Sequence, residues 1–316
     1  MRKHKNINAL FQIDSLSQLN PETDSSLDII KEGLKLGLNI WITNPDNLTF
    51  YAGRISLIAF KVKDLSLKLY KPKKIFLEKF DLFFIRQDPP FDMKYISNCY
   101  LLELHQKFND KPFFINDPTG IKNFTEKIFP LYFHSFMPKT MVTSSVKDLD
   151  YMFKKHDTLV FKPLYCKGGE DIYKFSRKDK HALRIFHKLL SKYNSPVVIQ
   201  KFIEKVKYGD KRVILVNGKA IGAVNRVPQS GAFKANLHLG GTACKTKLSK
   251  KEIDICNLLG SVLRENKLFF VGIDLIDQKL TEINVTSPTG IVQLRELYNM
   301  NVSKLIWEEL AVLYNL

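Results

Sequence analysis

Paired cysteines are missing from this chain. Its four, Cys99, Cys166, Cys244 and Cys256, show no CxxC spacing and no histidines at zinc-binding intervals. That excludes a disulfide framework and a zinc module, and it predicts reduced thiols. Long apolar runs are missing too, and nothing approaches the roughly 20 residues of a membrane span. The basic start, MRKHKNINALFQID, lacks the apolar stretch and cleavage site of a secretion signal, so a cytoplasmic protein with no membrane partner is expected. There are no internal repeats and no low-complexity linkers. The seven histidines are scattered, and no Ser-His-Asp or Cys-His pattern supplies a nucleophile.

What is present is an ordinary globular composition, 45% hydrophobic and 26% charged, over 316 residues. That length suits two or three compact units. The formal charge of +17 is spread along the whole chain, and even the densest run, KVKDLSLKLYKPKK at 61–74, forms no block of arginines interleaved with exposed aromatics. No nucleic-acid partner is expected; a positive field of this kind draws in anionic small molecules.

The pattern divides into three stretches, with boundaries placed at 1–122, 123–204 and 205–316. In the first, strands at NALFQID, 38–42, 80–86 and 113–115 alternate with helices opening near Asp24 and running 94–108, around an irregular region between 43 and 79. Strands separated by helices predict a mostly parallel sheet. The second carries short strands at 140–143, 158–161, 171–175 and 197–200, with helices at 146–155 and 179–193. The third opens with a hairpin turning at Asn217-Gly218. A polar loop at 228–247, a helix at 249–266, two acidic strands, and helices at 290–298 and 301–314 follow.

The acidic strands, GIDLIDQKLTEINVTSPTG at 272–290, carry the sharpest chemistry. Alternation puts Glu282 and Asn284 on one face of a strand. Whether Asp274 joins them depends on the turn. Three residues, Asp277-Gln278-Lys279, would set Asp274 opposite Glu282, whereas two residues would set it opposite Thr281. Two carboxylates and an amide oxygen together suit Mg²⁺, a hard cation that shares its ligands with nucleotide phosphates; an ordinary hairpin with a charged outer face is the plainer reading.

Other candidates surround that strand pair. Lys162-Pro163-Leu164-Tyr165-Cys166-Lys167-Gly168-Gly169 lies between two strands, so its backbone N–H groups can close over phosphate oxygens, although the Walker spacing is absent. Lys127 and Lys162 are candidate point charges for phosphates. Arg212 enters an apolar strand and needs a partner, either a phosphate or Glu282. The loop RVPQSGAFKANLHLGG at 226–241 has the length of a lid, and Arg226, Lys234 and Asn236 on it are placed to grip an anionic intermediate.

Taken in order, RQDPPFD (86–92), the Glu126-Lys127 pair, KPL…GG (162–169), YGDKRVILVNG (208–218), RVPQSG…NL…GG (226–241) and FVGIDLI…LTEINVTSPTG (270–290) resemble the bacterial glutathione synthetases of the ATP-grasp superfamily. The resemblance covers nearly the whole chain. It implies an α/β (α+β) three-domain ATP-grasp fold with an N-terminal parallel-sheet, pre-ATP-grasp domain. It also implies a ligase that joins γ-glutamylcysteine to glycine with ATP and Mg²⁺, or Mn²⁺ in its place, and a homotetramer.

By motif position, the family's metal ligands fall on Asp274, Glu282 and Asn284. Its nucleotide-binding residues fall on Lys127, Lys162, Lys167, Gly168, Gly169, Gln200, Lys201, Ile203 and Asp210. Arg212 falls at the transferring phosphoryl group, and Arg86, Asn236, Ser287, Pro288, Thr289 and Gly290 line the peptide site. Two loops depart from the family pattern. DGMGG has become Tyr165-Cys166-Lys167-Gly168-Gly169. GExRGN has become Gly231-Ala232-Phe233-Lys234-Ala235-Asn236, with a lysine where the family has an arginine able to bind a carboxylate in bidentate fashion. Those departures keep open a ligase for a different acid and amine, or a nucleotide-binding protein that no longer ligates.

Overall fold

A computed structural model describes residues 7–166, 168–235 and 240–315. Lys167 and Asn236, both expected at the site, lie outside the described residues. None of the described helices is long and apolar enough to cross a membrane.

The first stretch runs β1 (Asn8–Gln12), α1 (Ser25–Lys35), β2 (Asn39–Thr43), β3 (Leu48–Tyr51), β4 (Arg54–Lys61), β5 (Lys73–Phe76), β6 (Leu82–Ile85), α2 (Met93–Gln106), β7 (Phe113–Ile115) and α3 (Pro118–Asn123). Strands β2, β1, β6 and β7 are parallel, as the strand–helix alternation predicts. The expectation of an irregular 43–79 region is corrected: the end of β4 pairs antiparallel with β2, and its earlier residues pair with β3 along one edge and β5 along the other. The signal was there, because Ile55, Leu57 and Ala59 alternate into the core of RISLIAFK and Ala52-Gly53 turn at positive φ. Helix α1 begins where Asp24 accepts from the Leu27 N–H. It ends in a Schellman arrangement around Gly37 (φ +80), with Leu38 N–H bonded to Gly33 O and Gly37 N–H to Leu34 O.

The second stretch holds β8 (Thr140–Thr143), α4 (Val146–Lys155), β9 (Thr158–Pro163), β10 (Tyr173–Ser176), α5 (Ala182–Tyr193) and β11 (Val197–Lys201), with strand order β10-β9-β11-β8. The third holds β12 (Asp210–Val216), β13 (Lys219–Val227), β14 (Thr242–Lys245), α6 (Lys250–Glu265), β15 (Phe270–Ile276), β16 (Lys279–Asn284), α7 (Ile291–Tyr298) and α8 (Val302–Leu313), with order β14-β13-β12-β15-β16. Strand β14 falls inside the stretch expected to be loop. Helix α6 opens on a reciprocal capping box between Ser249 and Glu252.

Burial divides the chain differently from the sheets. Residues of the first and third sheets share two cores; Leu10 and Phe83 belong to one cluster with Val213 and Ile273, and Phe11 and Phe84 to another with Ile214 and Trp307. Asn116 ties the same two sheets, donating to Phe270 O and Val285 O and accepting from Phe270 N–H, all within 2.9 Å. The second sheet packs on a separate core built on Phe161, Phe186 and Leu189. A unit with its own core set against a two-sheet body leaves a cleft between them, and the candidate residues converge there.

Candidate active site

The acidic hairpin solves its register in a way the spacing did not anticipate. Its turn has two residues, Asp277 and Gln278, both at positive φ (49° and 60°), which alone would have set Asp274 opposite Thr281. A β-bulge at Thr281 restores the alignment: Leu275 pairs with Leu280, and Asp274 with Glu282. The Thr281 hydroxyl donates 3.0 Å to Asp274 O, which fixes the bulge. Gly272 pairs with Asn284 and Arg212 with Asp274, so Arg212, Asp274, Glu282 and Asn284 share one face of the third sheet.

Charge on that face is paired differently from expectation. Arg212 does not pair with Glu282; it grips Asp274 in bidentate fashion, Nε to Oδ1 at 2.6 Å and Nη2 to Oδ2 at 3.0 Å. Arg226, expected on the mobile loop, stands near the end of β13; it reaches Asp274 Oδ1 at 3.0 Å and bonds Asp210. Burial pushes Asp274 up, but the two guanidiniums outweigh it and hold its carboxyl well below the usual range. For Asp210 burial wins over Arg226, and its carboxyl is pushed up to about 6. Glu282 instead faces Lys162, whose Nζ lies 3.5 Å from Oε1.

These residues line a cavity of about 530 Å³. Of the expected set, Lys127, Lys162, Gly168, Gly169, Gln200, Lys201, Ile203, Asp210, Arg212, Arg226, Lys234, Asp274, Glu282, Asn284, Ser287, Pro288 and Thr289 border it. Gln200 is buried and donates to Thr140 Oγ1 at 2.8 Å, while the Lys201 N–H is already bonded to Lys139 O. Arg86 and Gly290 stand behind the wall. Buried Arg86 donates to Pro288 O at 2.9 Å, and Arg212 Nη1 donates to Thr289 O at 3.1 Å, so two arginines hold successive carbonyls of the 286–290 segment. A Cβ on Gly272 would meet Arg212 Cδ at 3.1 Å, and one on Gly290 would meet its Cγ at 3.2 Å, so both glycines make room for that side chain.

Across the cleft, Gly168 and Gly169 curl the glycine loop at φ +68° and +78°, a path that disfavours side chains. Two lysines hold its carbonyls: Lys127 Nζ donates to Cys166 O at 2.7 Å and Lys234 Nζ to Gly169 O at 2.8 Å. Lys234 thus ties the peptide-side loop to the glycine loop at the cavity wall. Phe233 beside it packs against Phe202, ring centroids 6.2 Å apart.

Glu126 was not among the expected site residues, though it sits in the Glu126-Lys127 pair that carried the resemblance. It borders the cavity. Burial first, then Glu282 and Asp274, raise its carboxyl from 4.5 to about 7 against the opposing Lys127 and Arg212. The native state therefore holds an extra proton between pH 4.5 and 7, and stability falls as pH rises through that window. Glu126→Gln should flatten the decline, by at most ~3 kcal/mol, in unfolding titrations of ligand-free protein at pH 5 and pH 8. An unchanged slope would show that Glu126 is ionised throughout.

Among the described residues no group of three or more His, Cys, Asp or Glu is spaced to hold a metal by itself. The donor set fits Mg²⁺ in another way. Glu282 and Asn284 face the cavity beside Asp274, so a carboxylate and an amide oxygen are presented on one wall of it. A cation that keeps waters and takes phosphate oxygens needs only one or two protein carboxylates.

Comparisons with known proteins agree with this architecture. Residues 7–122 match the N-terminal domain of prokaryotic glutathione synthetase, and 126–299 match its ATP-grasp domain. Glutathione synthetase of Bradyrhizobium diazoefficiens is 36% identical over 307 residues, covering 96% of this chain and 97% of that protein. That of Prochlorococcus marinus is 36% identical over 302 residues, covering 95% and 98%. In fold, the chain superposes on the D-cycloserine synthetase DcsG with a TM-score of 0.67 at 14% identity, covering 96% and 99%. With both family domains matched in order and relatives aligned over nearly its full length, this chain belongs to the prokaryotic glutathione synthetase family of ATP-grasp ligases.

Proposed function

We propose that the protein is a glutathione synthetase, joining γ-glutamylcysteine to glycine with ATP. The observation that carries this reading is one cavity bordered on one side by Asp274, Glu282 and Asn284 and on the other by Lys127, Lys162 and the curled glycine loop. The cysteinyl carboxylate oxygen attacks the γ-phosphorus, the bond to the bridging oxygen breaks, and ADP leaves. The glycine amine then attacks the acyl carbon, and phosphate departs carrying the former carboxylate oxygen. No protein nucleophile is required.

Each part of the chain has a task in this scheme. Lys127 and Lys162 neutralise phosphate charge as ADP leaves, and Gln200 and Ile203 border the base. Asp274, Glu282 and Asn284 would hold Mg²⁺, which when bound neutralises the phosphates. Arg212 orients Asp274 and, with Arg86, fixes the 286–290 segment against which the peptide lies. The second sheet and the loop roof the cleft, which keeps water from the acylphosphate. The +17 charge steers both anionic substrates inward. We take the boundaries at 1–122, 123–204 and 205–316, a division that the three sheets support, and the separate core of the second supports treating it as a lid.

Phosphate release from ATP and Mg²⁺ should require γ-glutamylcysteine and glycine together. Release with another acid and amine, and none with this pair, would move the assignment to a different ligase; the engaged Lys234 and altered peptide loop are the features that would then matter.

A further inference from the structure

We infer that Asp171 is a positioning residue for the glycine loop, fixing the phosphate-facing backbone of Gly168 and Gly169 from outside the cavity. The inference rests on the proposed reading of that loop as the phosphate grip. Gly168, Gly169, Glu170 and Ile172 all border the cavity, whereas Asp171 does not. Its backbone takes a left-handed conformation (φ +48°), the third in four residues after the two glycines, and this turns its side chain away from the cleft.

There its carboxylate is bonded from three sides. Tyr173 Oη donates to Oδ1 at 2.7 Å, while Lys192 Nζ and Tyr193 Oη donate to Oδ2 at 2.7 and 2.6 Å. Lys192 is 46% exposed, so that pair alone would do little to hold a loop. The tyrosines close the clamp, and Lys127 Nζ holds the other end of the loop by its 2.7 Å bond to Cys166 O. Asp171 thus ties its end of the loop to Lys192 and Tyr193 at the end of α5, a helix whose Phe186 and Leu189 lie in the lid core. This chain has lost the first glycine of DGMGG; a loop anchored at both ends supplies by side-chain bonds the order that the shorter glycine run no longer needs to give up on binding.

Asp171→Asn and Tyr193→Phe separate this role from a structural one. Asparagine tolerates the left-handed backbone, so the first variant removes the charge and leaves the turn intact. With the full chain, Mg²⁺ and a non-hydrolysable ATP analogue in calorimetry, Asp171→Asn should weaken nucleotide binding about tenfold and Tyr193→Phe several-fold. In steady state the KM for ATP should rise in parallel, with the KM values for γ-glutamylcysteine and glycine unchanged within about twofold. Unchanged nucleotide affinity in both folded variants would overturn the inference, as would a parallel rise of all three KM values. Wild-type protein that binds the analogue but ligates another pair would sink the proposed substrate and still read the clamp. Wild-type protein that binds no nucleotide would overturn both.

Discussion

Glu282→Gln should lower turnover by ~10³-fold or more while leaving the fold intact. Glutamine preserves the volume and one carbonyl oxygen, so packing on β16 is retained. What disappears is the charge that faces Lys162 at 3.5 Å and stands beside Asn284 on the cavity face. Glu282 is 20% exposed, and a partly solvated pair of this length contributes no more than ~1 kcal/mol to folding. Phosphate release and denaturant unfolding measured on the same preparation therefore dissociate: activity collapses and the midpoint stays put. A variant with near wild-type turnover would remove Glu282 from the proposed metal set, and the ligand assignment with it.

Arg212→Met should be costly in both respects. It strips two charge-assisted bonds from buried Asp274 and the tie to Thr289 O. Removing one member of a buried pair costs ~3–5 kcal/mol, because the carboxylate left behind keeps its desolvation penalty; Arg226 at 3.0 Å offsets part of this. Turnover should fall ~10²–10³-fold, since Asp274 and the peptide-side segment both lose their orientation. Arg212→Lys should not rescue it, because an ammonium cannot span both oxygens. Adding Asp274→Leu to Arg212→Met should recover much of the stability and none of the activity. If the double change restored turnover, the pair would be structural only.

Much of this could be read from the residues because local rules were obeyed. Asp24 capped α1 and Asn217-Gly218 turned β12 into β13, both where the short-range signals put them. What escaped depended on contacts distant in sequence. The bulge at Thr281 is set by its bond to Asp274 O across the hairpin, so turn length alone gave two registers and could not choose. Arg212 and Arg226 both converge on Asp274, about sixty and about fifty residues away respectively, and pairing of that range leaves no periodicity to detect. Lys234 reads as a free cation until the fold brings Gly169 O to within 2.8 Å. Strand β4 is a different case. Its alternation was plain, but exposed Ile58 within it diluted the pattern.

The course of a single oxygen atom tests the central claim most directly. γ-Glutamylcysteine labelled with ¹⁸O in its cysteinyl carboxylate, incubated with the protein, ATP, Mg²⁺ and glycine, should yield glutathione and ADP, with one labelled oxygen in each inorganic phosphate released. Label retained wholly in the peptide product, or recovered in AMP with pyrophosphate formed, would contradict ligation through an acylphosphate in this cleft.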